Sequence, residues 1–213
     1  MSSVNLFRLD ASILPAASAS AEIADLTEAE WVAAHPGGSV VRRHLGADPL
    51  PSDAWALATT AGFTPEEDLS AGQREALALA AELAGELEAA DAVILAVPLY
   101  NYGVSQHFKA WADLVITGCG AGNPLLKGTP TVLVTTLGGG YGPGTPREGW
   151  DHSTPYLRRV VADMWGADLT LIKRELTLAA TTPAMEPLRG LADEQRELAL
   201  GEARDAGRAL AGK

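Results

Sequence analysis

The stretch VILAVPLYNYG, residues Val93 to Gly103, decides the fold of this chain. Its apolar first half predicts a buried strand, and Pro98 ends that strand because proline has no backbone N–H for the strand ladder. Beyond the proline, Tyr100 and Tyr102 flank Asn101. Aromatic faces beside an amide suit a flat heteroaromatic ligand. We therefore predict a central strand whose carboxyl end faces such a ligand; the alternative is a turn packed under its own aromatic side chains.

Four further strands are expected around this one, with helical segments between them. The predicted strands cover 4–9, 39–45, 131–136 and 169–178. The second of the five in chain order is short and polar, which suits the edge of a sheet. Strands that alternate with helices predict an α/β fold, a doubly wound parallel sheet with helices on both faces.

Two of the helices carry more specific expectations. Thr27 and Glu30 have the spacing of a capping box, which predicts a break or a second start within the first helix. The last helix is predicted near 191–210. Its apolar stripe, expected to face the core, consists of Leu191, Leu198, Ala206 and Leu210.

The composition indicates one globular domain and disfavours two classes of partner. The chain has 213 residues, 47% of them hydrophobic and 20% charged, which is enough for a sizeable core. Its 27 acidic and 16 basic residues give a net charge of −11. This charge opposes attraction to nucleic acid and to an anionic membrane surface, so we expect neither partner.

The N-terminal residues lack the pattern of a secretory signal, and no apolar run reaches membrane-spanning length, so a cytoplasmic protein is expected. Cys119 is the single cysteine. An internal disulfide or a cysteine-based metal cluster is therefore excluded, and we expect an ordinary reduced thiol and no metal site.

In doubly wound sheets, ligands bind at the carboxyl ends of the strands. The loop after the first predicted strand carries Ser12, Ser18 and Ser20 at the entry to a helix. Hydroxyl groups, backbone N–H groups and the positive end of the helix dipole can hold a phosphate without lysine or arginine. The alternative is that these serines only cap the helix.

The strand predicted at 131–136 runs into Gly138, Gly139 and Gly140, where a backbone could approach a ligand closely; a flexible loop is the alternative. The glycines of a dinucleotide-binding turn are missing after the first strand. The sequence also lacks a Gly-x-x-x-x-Gly-Lys-Ser/Thr loop, a Gly-x-Ser-x-Gly elbow and a paired-histidine zinc motif. The predicted ligand therefore carries a monophosphate end.

Four groups of residues together give the chain a family resemblance. They are Ser12-Ile13-Leu14 with Ser18-Ala19-Ser20, Pro98-Leu99-Tyr100-Asn101-Tyr102, Thr135-Thr136-Leu137-Gly138-Gly139, and Thr154-Pro155-Tyr156-Leu157. Over nearly its whole length the chain resembles the FMN-dependent NADH-azoreductases, which belong with the NAD(P)H quinone reductases. The turn after Pro98 is the most specific of the four.

The resemblance implies a flavodoxin-like fold with strand order 2-1-3-4-5 and a single FMN-binding domain over residues 1–213. It also implies a homodimer that uses NADH or NADPH to reduce quinone, azo or related aromatic acceptors by hydride transfer through bound FMN. The chemistry would lie on the flavin, so no side chain is assigned a catalytic role, and Tyr102 and Tyr141 are candidates for the substrate side. The implied cofactor-binding residues are Ser12, Ser18, Ala19, Ser20, Pro98, Leu99, Tyr100, Asn101, Tyr102, Thr136, Leu137, Gly138, Gly139 and Tyr141.

Three positions depart from the pattern of the family that the chain resembles. Leu137 stands in place of an arginine, Tyr141 in place of a histidine, and 118–124 in place of a longer aromatic loop on the substrate side. Two alternatives therefore stay open. One is an FMN-dependent tailoring enzyme that acts on an aromatic or polyketide-like biosynthetic intermediate and has weak azoreductase activity. The other is a noncatalytic flavin- or quinone-responsive binding protein.

Overall fold

A parallel sheet of five strands forms the centre of the computed structural model, which describes residues 4–212. The strands of this sheet are β1 (Asn5–Asp10), β2 (Ser39–His44), β3 (Ala92–Ala96), β6 (Pro130–Thr136) and β7 (Asp168–Arg174). Two short strands, β4 (Leu99–Tyr100) and β5 (Gly103–Val104), form a separate hairpin. The α-helices are α1 (Ala19–Ala34), α2 (Ala54–Ala61), α3 (Ala71–Glu88), α4 (Gln106–Cys119), α5 (Thr154–Arg158) and α6 (Arg189–Ala211). The absence of a secretory signal was inferred from the N-terminus, where residues 1–3 lie outside the described range.

The five strands lie in the order β2-β1-β3-β6-β7, and each neighbouring pair is parallel. Strands β4 and β5 form a separate antiparallel hairpin. When the five strands of the sheet are numbered without the hairpin, their order is the predicted 2-1-3-4-5. The predicted order and the edge position of β2 are therefore confirmed. The fifth strand ends at Arg174, so its predicted extension to Leu178 is wrong.

Strand β3 is central because all of its residues are apolar and buried. Beyond the paired residues, the Ala11 N–H donates to the Ala96 carbonyl at 2.9 Å, and the Val97 N–H donates to the Val134 carbonyl at 2.8 Å. These bonds hold the segments that follow β1 and β3 at the same edge of the sheet. The three predicted ligand segments therefore begin side by side.

Alternate residues of the strands pack into two cores, one on each face of the sheet. Phe7 and Leu95 face the core that contains residues of α2, α3, α4 and α5, with Trp111 at its centre. Leu6 and Ile94 face the second core, which α1 and α6 cover. This alternation confirms the doubly wound arrangement, since both faces of a parallel sheet must be covered. Within residues 4–212, no helix has the length and apolarity needed to cross a bilayer.

The break predicted within the first helix is wrong, because α1 runs without interruption. Thr27 is fully buried, and its hydroxyl donates to the Ile23 carbonyl at 3.0 Å. A threonine hydroxyl can bond to the preceding turn inside a helix, so the capping-box spacing alone did not mark a start here.

The stripe predicted for the last helix is also wrong in part. Leu191 and Leu198 are exposed, whereas Ala192 and Ala199 are buried. Small side chains face inward because α6 lies close to α1: a Cβ added to Gly207 would lie 2.5 Å from the Thr27 carbonyl oxygen. The predicted inward positions of Ala206 and Leu210 are confirmed.

Candidate functional site

A cavity of about 210 Å³ lies at the carboxyl edge of the sheet, where four chain segments meet. We name it the strand-end cavity. It brings together residues of the loop after β1, the turn after β3, the glycine run after β6 and the segment after β7. Its lining residues are Ser12, Leu14, Ala17, Ser18, Ala19, Pro98, Leu99, Tyr100, Thr136, Gly138, Thr177 and Leu178.

Serine side chains surround the N-terminus of α1 at one end of the cavity. Ser18 is the N-cap residue, and its hydroxyl accepts from the Ala21 N–H at 3.1 Å. The Ser18 and Ser20 hydroxyls are also hydrogen-bonded at 3.0 Å. The capping role weighed as the alternative is therefore present. It is compatible with anion binding, because further N–H groups in the first turn have no intrahelical partner and the helix dipole favours negative charge.

The turn after β3 is tied to this serine loop through one hydroxyl group. The Tyr100 hydroxyl lies 3.2 Å from Ser12 Oγ and accepts from the Ile13 N–H at 3.1 Å. Ser12 Oγ in turn accepts from the Leu14 N–H at 3.2 Å. The side chain of Ser105, at the end of the hairpin, donates to the Ala11 carbonyl at 3.1 Å. Two of the predicted ligand segments thus form one hydrogen-bonded unit.

The predicted turn is a tight antiparallel hairpin, in which Tyr100 pairs with Gly103. Asn101 and Tyr102 between them have φ angles of 48° and 68°, as a type I′ turn requires. Asparagine adopts this left-handed conformation readily, but for tyrosine it is strained. Both side chains are exposed, so the hairpin presents them at the mouth of the site.

Three aromatic side chains meet beside the hairpin, and we name them the aromatic wall. The Tyr102 ring lies edge-on to the Trp150 ring at 5.4 Å and to the Tyr141 ring at 6.4 Å. The His152 N–H donates to the Tyr102 carbonyl at 3.0 Å, which fixes the end of the loop that carries Trp150. Trp150 was missed in the sequence, since an isolated tryptophan in a glycine- and proline-rich loop has no periodic pattern around it.

The segment between β6 and α5, residues 137–153, is held against β7 by a carboxylate. We name this segment the β6–α5 loop. Glu175 accepts hydrogen bonds from the Tyr141 N–H at 2.8 Å and the Gly142 N–H at 3.3 Å. Its carboxylate also pairs with Lys173 at 2.9 Å, and Lys173 lies 3.3 Å from Asp151. Glu175 was not predicted as a site residue, because it was assigned to a continuous strand.

Asp151, Lys173 and Glu175 stabilise one another's charges. Burial alone would raise the pKa of Asp151, but hydrogen bonds from Thr154 and the positive charge of Lys173 hold that pKa below its ordinary value. Burial alone would lower the pKa of Lys173, but Glu175 and Asp151 hold it above its ordinary value. Both groups are therefore charged at neutral pH.

The glycine run lies against the segment that follows β7. The carbonyls of Leu137, Gly138 and Gly139 accept from the N–H groups of Thr177, Leu178 and Leu176, respectively, at 3.1 to 3.2 Å. A Cβ added to Gly138 would lie 2.7 Å from the end of the Leu178 side chain, so a larger residue here would require the exposed Leu178 side chain to move. The backbone of the glycine run therefore lies close to the segment after β7.

The remaining predicted residues differ in how they reach the site. Leu137 is fully buried, and its backbone bonds to Arg174 and Thr177, so its side chain is directed away from the cavity surface. Tyr141 is half-buried. Burial raises the pKa of its hydroxyl, although the nearby Arg147 opposes the shift, and the hydroxyl therefore stays protonated at neutral pH.

Two other sequence features lie outside this site. Cys119 belongs to the end of α4, so the shortened connection begins at Gly120 and not at Gly118. Burial raises the pKa of the Cys119 thiol, which keeps it in the unreactive protonated form. Among residues 4–212, no group of three or more histidine, cysteine, aspartate or glutamate side chains is placed to hold a metal ion.

Comparison with known proteins places this geometry in context. A family model described as a flavodoxin-like fold matches residues 5–184. The chain is 40% identical to an FMN-dependent NADH:quinone oxidoreductase of Frankia casuarinae, over 94% of this chain and 97% of that protein. It is 42% identical to an FMN-dependent NADH:quinone oxidoreductase of Streptomyces coelicolor, over 93% of this chain and 91% of that protein.

The same fold occurs in a solved structure of an FMN-dependent NADH-azoreductase from Bacillus anthracis in complex with FMN. The two structures superpose with a TM-score of 0.76 over 97% of this chain and 99% of that chain, at 15% sequence identity. At this identity the likeness establishes the shared fold.

Proposed function

We propose that this chain, which belongs to the flavodoxin-like family of FMN-dependent NADH:quinone oxidoreductases, binds FMN in the strand-end cavity and uses NADH or NADPH to reduce quinone, azo and related aromatic acceptors. The observation that supports this assignment most strongly is the composition of the cavity. Serine hydroxyls at a helix N-terminus lie at one end and an aromatic hairpin at the other.

The residues of the cavity fit FMN. Ser12 and Ser18, with the N-terminus of α1, would hold the phosphate, since hydroxyl and N–H donors can bind an anion within this acidic chain. Ser20, also predicted to hold it, is fully buried and does not line the cavity, so it would act through its hydrogen bond to Ser18. The residues from Pro98 to Tyr102 would line the isoalloxazine ring. Thr136, Gly138 and Gly139 would contact the ring from the other side, where the space next to Gly138 accepts no Cβ without moving Leu178.

Bound FMN supplies hydride transfer in two half-reactions, with NAD(P)H as donor and the aromatic compound as acceptor. The protein contributes position and exclusion of water. The Tyr100 hydroxyl keeps the serine loop and the hairpin in register, and the aromatic wall covers the acceptor side. The protonated Tyr141 hydroxyl can donate a hydrogen bond to a carbonyl or azo nitrogen of the acceptor.

Three wider properties belong to the same proposal. We infer that residues 1–213 form one FMN-binding domain and that two copies associate as a homodimer. We also propose that the protein acts in the cytoplasm, where its reductant is available. Light scattering of the purified protein tests the homodimer: a mass of about twice 22.2 kDa is expected, and a monomer with full activity contradicts it.

The absorbance spectrum of the purified protein tests the function. We expect a flavin spectrum after incubation with FMN, bleaching of that spectrum by NADH or NADPH, and its recovery when a quinone is added. Protein that takes up no FMN contradicts the proposal. Slow or absent bleaching of bound flavin favours the tailoring enzyme, and tight flavin binding without turnover of any acceptor favours the noncatalytic binding protein.

Substitution of the serines tests the location of the site. Ser18→Ala is expected to weaken FMN binding by about tenfold, because it removes a hydroxyl from the phosphate end and from the helix cap. Ser52→Ala, at an exposed position before α2, is the matched control and should leave the FMN affinity unchanged. Equal effects of the two substitutions contradict this placement of the phosphate.

A further inference from the structure

A second and larger cavity, of about 810 Å³, opens on the acceptor side of the site. We name it the side groove. It lies between the β6–α5 loop and the segment that leads into α6. Its near end is formed by Tyr102, Gly139 and Trp150, and its far end by Met185, Leu188 and Leu191.

The side groove is continuous with the proposed redox site through shared residues. Tyr102 and Gly139 are among the residues that the proposed function assigns to the flavin, and both line the groove. Trp150 contacts the Tyr102 ring and lines the groove beyond it. A substituent on an acceptor ring that lies against Tyr102 therefore has room to extend along the groove toward Met185.

The far end of the groove is apolar and open. Leu188 and Leu191 are 39% and 47% exposed. Exposed positions on a helical segment usually carry polar residues, so these two leucines form an apolar surface that is open to a ligand. Leu176 closes the floor between the two ends and is buried. Apolar side chains arranged along a groove suit a hydrocarbon ligand, because each apolar group removed from water stabilises the complex.

The charges around the far end favour an uncharged ligand. Arg189, next to Leu188, pairs with Glu186 at 3.6 Å, so the two charges offset each other. Arg147 also lines the groove, but it lies beside Gly139 and the Tyr141 ring at the near end. At the far end the chain's net charge of −11 disfavours an anionic tail such as a fatty carboxylate. A neutral alkyl or isoprenoid chain meets neither obstacle.

We propose that the side groove binds the neutral hydrocarbon tail of a quinone acceptor while the quinone ring lies at the flavin. This inference rests on the proposed function, because it assigns the quinone ring to that site. It makes tailed quinones, with alkyl or isoprenoid chains, the preferred substrate class. Other occupants of the groove, a second copy of the chain above all, are outcomes of the test.

The test is a series of quinones that share one ring and differ only in the length of an alkyl tail. Each methylene that enters the groove is expected to raise kcat/KM by up to about fourfold until the tail passes Leu191. Binding of the same quinones is measured by calorimetry in the absence of NADH, so that affinity is observed without turnover. The readout is the ratio between tailed and tail-less quinone for each variant.

Leu191→Ser is expected to lower that ratio by at least fivefold, because it places a hydroxyl in the path of the tail. Leu198→Ser is the matched control. Leu198 lies seven residues further along α6, about two turns, and is 67% exposed. Its substitution should leave the ratio unchanged. Because both leucines are exposed, both variants are expected to fold, which thermal unfolding checks.

The outcomes separate this inference from the proposed function. If the tail-less quinone is reduced and kcat/KM does not change with tail length, the role of the side groove is overturned and the proposed function stands. Absence of reduction with every quinone overturns the proposed function, and calorimetry then decides the groove on its own: equal affinities for all tail lengths overturn it. A dimer that becomes a monomer in Leu191→Ser, with an unchanged ratio, assigns the groove to a second copy and also overturns the inference.

Discussion

The Tyr100 hydroxyl lies 3.2 Å from Ser12 Oγ and joins the hairpin after β3 to the serine loop after β1. Because the same hydroxyl accepts from the Ile13 N–H, the two ends of the proposed cofactor share one organising contact. We predict that Tyr100→Phe weakens FMN binding about fivefold, since a hydrogen bond of this kind contributes about 1 kcal/mol. Titration of the apoprotein with FMN measures the effect. Tyr156→Phe, in α5, is the control, and an equal loss in both variants contradicts the prediction.

The backbone of Gly46 packs directly against the serine loop, a contact that the local sequence does not predict. A Cβ added to Gly46 would lie 1.9 Å from the Ser12 carbonyl oxygen, and this atom belongs to the backbone. We predict that Gly46→Ala displaces the loop, lowers the free energy of unfolding by about 1–3 kcal/mol and weakens FMN binding at least tenfold. Thermal unfolding and FMN titration measure the two effects.

The control for Gly46→Ala is a glycine with open space around it. A Cβ added to Gly85, inside α3, would meet no atom within 4 Å. Gly85→Ala is therefore expected to raise the free energy of unfolding by about 0.5–1 kcal/mol and to leave FMN binding unchanged. A comparable loss of FMN affinity in this variant would contradict the assignment of the Gly46→Ala effect to displacement of the serine loop.

Glu175 holds the β6–α5 loop through the N–H groups of Tyr141 and Gly142, and its own N–H donates to Gln195, at a distance from the serine loop along the sheet. We predict that Glu175→Gln raises the KM for the acceptor about threefold or more and leaves the FMN affinity unchanged, because the weakened anchor frees Tyr141 and the aromatic wall. Steady-state kinetics with a quinone and FMN titration separate the two effects. Glu148→Gln removes a carboxylate that accepts from the Gly144 N–H within the loop, and it should change KM less.

Asp151 contributes to stability in a way that depends on pH. Its pKa is lower in the folded protein than its ordinary value, so its contribution is fully present above the unfolded pKa of about 3.9. That contribution disappears as the pH falls through the folded pKa. We predict that the melting temperatures of the wild type and Asp151→Asn differ at pH 7 and converge on acidification below pH about 4. A difference that stays constant over this range contradicts the assignment.

The sequence predicted the sheet well because its central strand is a continuous apolar run and the other strands alternate with helices. The apolar segment Ala92–Ala96 fits a buried parallel strand, and the alternation of strands with helices indicated a doubly wound sheet. The order of the strands followed from the family resemblance, and the structure confirms it. The stripe of α6 was mispredicted because hydrophobicity alone favours leucine over alanine as a core residue. The close approach of Gly207 to Thr27 selects the small residues, and this contact joins distant parts of the chain.

The sequence predicted the residues that line the candidate site but not the residues that hold those segments in place. Ser12, Tyr100 and Gly138 line one cavity, as their positions after neighbouring strands indicated. Gly46 and Glu175 were missed because their roles depend on backbone atoms more than thirty residues away, which no local pattern records. The left-handed Tyr102 was missed for another reason, since tyrosine rarely adopts that conformation.

The β6–α5 loop is attached to β7, the edge strand of the sheet, whereas the serine loop and the hairpin leave the interior strands β1 and β3. The two halves of the site therefore differ in how freely they can diverge. A change in β1 or β3 disturbs both cores, but an insertion after β7 or in the β6–α5 loop alters one border of the sheet. Related chains could acquire new acceptors by remodelling that border while they inherit the same cofactor half, which makes acceptor choice the more evolvable property of this fold.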